Sequence, residues 1–257
     1  MLGTIVGDIV GSIYEFNNHR SKDFPLFGSK CTFTDDTVLT VAVADCLMNN
    51  GNYAEYIKNY ARKYRGRGYG GRFRQWISSE SMEPYNSWGN GSAMRVSAVG
   101  FAYNDLESVI LESKNSAEVT HNHPEGIKGA QATAIAIYMA RKGQTKEQIK
   151  TAIAKSFSYN LDRTLDQIRP VYQFNESCQE TVPEAIIAFL ESTDFEDAIR
   201  NGISLGGDSD TLTCITGGIA EAFYGGVPQD IADKALSYLP QEMREVVEEF
   251  RERYGLS

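Results

Sequence analysis

The chain has 257 residues, 42% of them hydrophobic and 23% charged, with 25 basic against 34 acidic residues for a net charge of -9. This is the profile of a globular protein with one sizeable core, and it is short for two ordinary domains. The excess of acidic residues argues against a general binder of nucleic-acid phosphates.

In chain order, Met1 to Phe16 is apolar enough to suggest a signal peptide, yet it lacks a basic leading segment and Asp8 interrupts it. The same stretch reads as a first helix over Gly3 to Phe16. Ile5, Ile9 and Ile13 share one row of it, and Gly3, Gly7 and Gly11 share another. Glycine costs about 1 kcal/mol relative to alanine in a helix, so this row implies a second backbone, or a ligand, packed very close. Thr34 or Asp35 caps a second helix running through Leu47 and closed by Asn49-Asn50-Gly51. Further helices are predicted at roughly 53–64, 71–80, 92–102, 105–114, 124–142, 145–158, 180–192, 194–202, 209–224, 229–238 and 240–254. Strand alternation is absent, no internal repeat appears, and the Gly-, Pro- and Asn-containing connections are too short for linkers. The expectation is one all-α domain spanning 1–257. Four scattered cysteines (Cys31, Cys46, Cys178, Cys214) form no CxxC pair, which fits reduced thiols better than a zinc site or a disulfide framework. With no apolar run of about twenty residues to span a membrane, a cytoplasmic protein is expected, and nothing calls for more than a monomer.

Two short boxes carry the chemistry: Thr34-Asp35-Asp36-Thr37 and Asp208-Ser209-Asp210-Thr211, each opening a helix. Adjacent carboxylates and hydroxyls supply the oxygen ligands that a hard divalent cation requires. For the first box alone, helix capping without a metal is an adequate account. The second has Gly206-Gly207 before it and a helix rich in small residues after it. That placement puts its carboxylates at the mouth of a buried helix, where an unpaired charge is costly. Few basic residues lie nearby in sequence, so a cation is the natural partner, and a metal-activated water becomes the default chemistry.

Between the boxes, Ser87-Trp88-Gly89-Asn90-Gly91 permits positive φ and an anion-binding nest of amides ahead of a helix, with Trp88 offering an aromatic face. Thr120-His121-Asn122-His123-Pro124 holds two of the three histidines. No Cys or third His accompanies them, so a hydrogen bond to a ligand or a helix-start turn is expected rather than zinc. Glu15, read as the end of the first helix, is a candidate proton-transfer group. Arg62, Lys63, Arg65, Arg67, Arg72 and Arg74, interleaved with aromatic residues, read as a solvated basic face at the rim of a phosphate-binding cleft.

These boxes, in this order, resemble the ADP-ribosylglycohydrolase family, which includes dinitrogenase-reductase-activating glycohydrolase and the ADP-ribosyl-acceptor hydrolases. The resemblance runs from Gly3 to about Gly226. It implies an all-α fold around two divalent cations, Mg2+ or Mn2+, and cleavage of the bond between ADP-ribose and an acceptor nitrogen or oxygen. Carried over, the metal ligands fall on Thr34, Asp35, Asp36, Asp208, Asp210 and Thr211. Ser87 to Gly91 and His121 would contact the diphosphate and riboses, and Glu15 would lie near the scissile bond. Which of Glu15, Asp35, Asp36 and Asp210 manages the protons stays open. An ADP-ribosylated protein or a small ADP-ribose conjugate is the implied partner. A two-metal phosphohydrolase acting on a nucleotide diphosphate, and a non-catalytic ADP-ribose binder, are the competing readings.

Overall fold

The structure is a computed structural model that describes residues 1–256, and no strand occurs among them. Helices follow one another as α1 (Leu2–Gly11), α2 (Asp35–Met48), α3 (Tyr53–Lys63), α4 (Gly71–Ser78), α5 (Gly91–Met94), α6 (Ser97–Ala102), α7 (Leu106–Glu118), α8 (Pro124–Arg141), α9 (Lys146–Phe157), α10 (Leu165–Ile168), α11 (Cys178–Leu190), α12 (Phe195–Leu205), α13 (Ser209–Tyr224), α14 (Gln229–Leu236) and α15 (Gln241–Arg253). No helix is long and apolar enough to cross a membrane. All four cysteines are free and buried.

Two buried helices form the axis. Every residue of α1 is buried, and α13 is buried from Ser209 to Glu221. They pack along their whole length because α1 presents glycine where the two chains touch. A Cβ at Gly3 would lie 2.3 Å from the Gly217 carbonyl oxygen, at Gly7 2.2 Å from that of Thr213, and at Gly11 2.4 Å from the Asp210 Cα. Those distances are far inside van der Waals contact and the obstacles are backbone, so the row of glycines is the condition for this approach. Of the two partners that the glycine row implied, a second backbone or a ligand, the structure supplies the backbone, α13.

α7 and α12 run on past the expected 114 and 202, α10 is an unexpected short helix, and two further differences bear on the site. The first helix ends at Gly11, not Phe16: Ser12 N–H closes the last turn on Asp8 O at 2.8 Å, and the chain turns away. Glu15 therefore sits in a turn after the helix. Asn18 pins this turn to the segment before α13, accepting Gly207 N–H at 2.7 Å and donating to Gly207 O at 3.1 Å. The helix expected over 92–102 is broken at Arg95-Val96. Met94 O, which would have continued the ladder, instead accepts the Thr40 hydroxyl and the Cys214 thiol, each at 3.3 Å.

Candidate active site

The two acidic boxes meet. Asp208 stands at the start of α13 after Gly206 (φ 69°) and Gly207 (φ 74°), a left-handed entry that places Asp208 and Asp210 at the buried mouth of the helix. Thr34 caps α2, its hydroxyl accepting Asp36 N–H at 3.3 Å and donating to Asp8 Oδ1 at 2.7 Å. Thr211 Oγ1 donates to Asp36 Oδ2 at 3.3 Å, tying one box to the other across 175 residues of chain. In the first box capping and site formation are thus done by the same residue, Thr34, whereas Asp208 stands at the N-cap position of α13 without a side-chain capping bond.

Ligand-competent oxygens of Asp8, Asp36 and Asp210 lie within 4.8 Å of one another, and so do those of Glu15, Asp208 and Asp210. Sequence reasoning misses Asp8 as a site residue, because there it reads only as a break in an apolar run. A carboxylate in a buried helix must find partners, and Asp8 finds four, accepting the amides of Thr34 (2.9 Å) and Thr37 (3.0 Å) and both hydroxyls. With both oxygens engaged, its task is to hold the start of α2.

Asp36 is the opposite case. Its Oδ1 is buried with no hydrogen-bond partner. Burial, then the neighbouring carboxylates, push Asp36, Asp35 and Asp210 well above the usual carboxylate range. Asp8 and Asp208 are raised by burial as well, though hydrogen bonds oppose the shift. Glu15, half-buried, is pushed up to about 7 by desolvation and by Asp208, Glu176 and Asp8. Like charges so placed, with an orphaned oxygen and hydroxyls of Thr34 and Thr211 beside it, fit one or two hard cations.

The cleft beside these carboxylates has a volume of about 240 Å³. Glu15, Asp35, Asp36, Asp208, Asp210 and Thr211 form one part of its wall. Ser87, Gly89, Asn90, Gly91 and His121 form another, together with Arg72 and Tyr85. Thr34 is buried behind that wall, and Trp88, 49% exposed, rests against the His123 ring at 5.6 Å on the outer edge. Of the basic segment, Arg72 reaches the cleft, held by Tyr85 O and lying over its ring.

The Gly-Asn turn differs in detail from a nest. Positive φ falls on Asn86 (55°), not on Gly89 to Gly91. Gly89 N–H goes to Ser87 Oγ (3.1 Å) and Asn90 N–H to Glu176 O (2.7 Å). The Asn90 side chain donates to Asp208 Oδ2 at 2.7 Å, so it orients a carboxylate. Among the described residues the Gly91 amide has no acceptor. A Cβ at Gly91 would crowd His121 Nε2 at 3.2 Å, whereas one at Gly89 would meet it at an ordinary 3.6 Å.

His121 is fixed from behind. Arg95, fully buried, donates to Thr120 Oγ1 at 2.8 Å, and that oxygen lies 2.7 Å from His121 Nδ1. The hydroxyl proton has no other acceptor, so it goes to Nδ1 and leaves the ring proton on Nε2, facing the glycines. Burial, then Arg95 and Arg72, hold the imidazole well below its ordinary pKa, so it is a neutral donor. His123 does separate work, its Nδ1 capping α8 by accepting Glu125 N–H at 3.1 Å.

The result is an all-α protein with a buried acidic cage beside a cleft wall that carries N–H donors. Residues 1–256 match the family model described as ADP-ribosylglycohydrolase, and the chain belongs to that family. It is 25% identical to ADP-ribosylhydrolase ARH3 of Homo sapiens, over 88% of this chain and 84% of that protein. To ADP-ribosylarginine hydrolase Tri1 of Pseudomonas putida it is 26% identical, over 91% of this chain and 72% of that protein. A solved structure titled ADP-ribosylglycohydrolase-related protein complex superposes with a TM-score of 0.72 at 23% identity, covering 95% of this chain and 93% of that one, which speaks for the fold.

Proposed function

We propose that this protein hydrolyses the glycosidic bond between ADP-ribose and an acceptor, releasing ADP-ribose. The observation that carries the reading is the pair of carboxylate groups that share Asp210, one with Asp8 and Asp36 and the other with Glu15 and Asp208, with Asp36 Oδ1 orphaned, beside a wall that offers N–H donors to an anion. Thr34, Asp35, Asp36, Asp208, Asp210 and Thr211 would hold two divalent cations, Mg2+ or Mn2+. When bound, such ions offset the carboxylate charge and supply Lewis acidity toward sugar oxygens. His121 Nε2–H, the Gly91 amide and Arg72 would bind the diphosphate and riboses, fixing the sugar in the cleft.

Hydrolysis adds water across the bond: oxygen joins the anomeric carbon, one proton leaves the water, and one must reach the departing acceptor. A carboxylate at the cleft mouth performs both transfers, and Glu15, Asp35, Asp36 and Asp210 are the groups in place. Arginine-, serine- and acetyl-linked ADP-ribose, each with Mg2+, Mn2+ or chelator, provide the test. Metal-dependent release of intact ADP-ribose is the expected result. AMP as product would instead indicate phosphohydrolysis, and ADP-ribose binding without turnover of any substrate would indicate a binding protein.

A further inference from the structure

Residues 62–74 carry six basic side chains and no acidic one, in a chain whose net charge is -9. The fold itself uses four of the six. Arg62 donates to Ile77 O at 2.7 Å and to Ser79 O at 3.0 Å, and Lys63 pairs with Glu242. Arg67 donates to Thr32 Oγ1 (3.1 Å) and Phe33 O (3.2 Å) while lying over the Phe33 ring, and Arg72 is held by Tyr85 O in the cleft. Arg65 and Arg74 remain, both exposed. Arg65 commits only Nε, to Arg62 O at 3.1 Å, and among the described residues the Arg74 guanidinium has no partner. With Arg62 they line one hollow of about 510 Å³, whose wall includes Tyr69 and Ile77. Its single acid is Glu80, 98% exposed and 3.9 Å from Arg62. One surface arginine is ordinarily just solvated, but three around one hollow concentrate positive potential inside it.

The hollow shares a wall with the cleft. Gly66 and Tyr69 line the hollow while Gly68, Gly70, Gly71 and Arg72 line the cleft, so the turn over 66–71 is the partition between them. Asp35 N–H holds that turn in place by donating to Arg67 O at 2.7 Å. The partition is also low. A Cβ at Gly70 would meet nothing within 4 Å, and its φ of -58° is open to any residue, so nothing inside the protein calls for glycine there. A bare edge of this kind lets another main chain cross closely. A peptide crossing it out of the cleft comes down among guanidinium groups, which donate paired hydrogen bonds to carboxylates. A nucleic-acid strand fits less well. It needs a continuous track of cations, whereas here Lys63 is occupied by Glu242 and Glu80 projects at the rim. We propose that Arg65 and Arg74, with Arg62 beside them, dock acidic side chains that flank the modified residue of a protein substrate. This rests on the glycohydrolase reading above and extends it from the ADP-ribose in the cleft to the chain that bears it.

The experiment measures kcat/KM for one ADP-ribosylated peptide in three versions, with glutamates, alanines or lysines flanking the modified residue, and for a small ADP-ribose conjugate without a flank. Arginine and serine linkages are both offered. The glutamate version should be preferred to the alanine version. That ratio should fall about two- to fivefold in each of Arg65→Gln and Arg74→Gln, further in the double variant, and also as salt rises from about 0.05 to about 0.3 M. In a variant carrying Arg65→Glu and Arg74→Glu the lysine version should become the better peptide. Turnover of the small conjugate should stay at the wild-type level throughout, which separates lost docking from a damaged fold. An active wild type that cleaves the three peptides equally, or a ratio unchanged in the double variant, overturns the docking site and spares the glycohydrolase reading. Fluorescence anisotropy then compares an unmodified glutamate-rich peptide with a single-stranded oligodeoxynucleotide. Tighter binding of the oligonucleotide that depends on Arg65 and Arg74 would assign the surface to nucleic acid and overturn the proposal. A wild type that releases ADP-ribose from no substrate overturns both readings.

Discussion

Asp36 concentrates the logic of the site in one atom. Its Oδ1 is buried without a donor while Asp8, Asp35 and Asp208 raise the cost of its charge. Replacing it by asparagine removes that repulsion, as does the same change at Asp210. Without metal, Asp36→Asn and Asp210→Asn should melt about 2–8 °C above the wild type, and the rise on adding Mg2+ or Mn2+ should vanish. Turnover should drop more than about a hundredfold with helical circular dichroism retained. Variants that melt lower without metal, or that keep full activity, would contradict the assignment. Glu15 gives the pH dependence. Its folded pKa of about 7 lies above the ordinary 4.5, so its contribution to stability is complete below 4.5 and lost as pH rises through 7. The other raised carboxylates act in the same direction. Chelator-treated protein should therefore melt progressively lower from pH 5 to pH 8, which calorimetry can follow; a rising trend would be incompatible with this charge arrangement. Thr120→Val removes the link from Arg95 to His121, and nitrogen-15 NMR should then show a mixture of imidazole tautomers where the native protein shows Nε2–H alone.

At the level of helices, the contact between α1 and α13 is legible in the sequence. Three glycines at helical spacing weaken an isolated helix, and close packing against another backbone is what offsets that cost. The end of α1 is not legible. Ile13 continues the apolar row past Gly11, and the turn that follows is held by Asn18 on Gly207, a contact across 189 residues. Glu176 escapes sequence reasoning in the same way: it is an ordinary exposed glutamate until Asn90 brings its loop to the cleft. The break at Arg95-Val96 also depends on remote partners, Thr40 and Cys214. Both acidic boxes, by contrast, are readable because the carboxylates and hydroxyls that favour a helix start are also the side chains a cation site would use. Gly7→Ala tests the interlock. Its methyl would meet Thr213 backbone at 2.2 Å, and the helices must separate, with a loss of about 1–3 kcal/mol or more. Urea denaturation should show it, and a weakened response to Mn2+ should accompany it; a variant as stable as the parent would mean that the pair is not tightly packed.

Across the whole molecule, residues from the two ends of the chain share one buried site, so a cation held there would be linked to folding. A cation that binds the folded state alone stabilises it by about 2.7 kcal/mol at a hundred times its Kd. Titration with Mn2+ should raise the melting temperature continuously, and hydrogen exchange should slow first at the starts of α2 and α13. Protection confined to other helices would place the ion elsewhere.

Gly11 abuts the main chain of Asp210 itself, and this fixes the bore of the cage. Its tolerance is set by hydrogen atoms where side chains would otherwise stand. A cage meant for a larger cation would have to be widened in the gap between the two helices, at positions that carry no carboxylate.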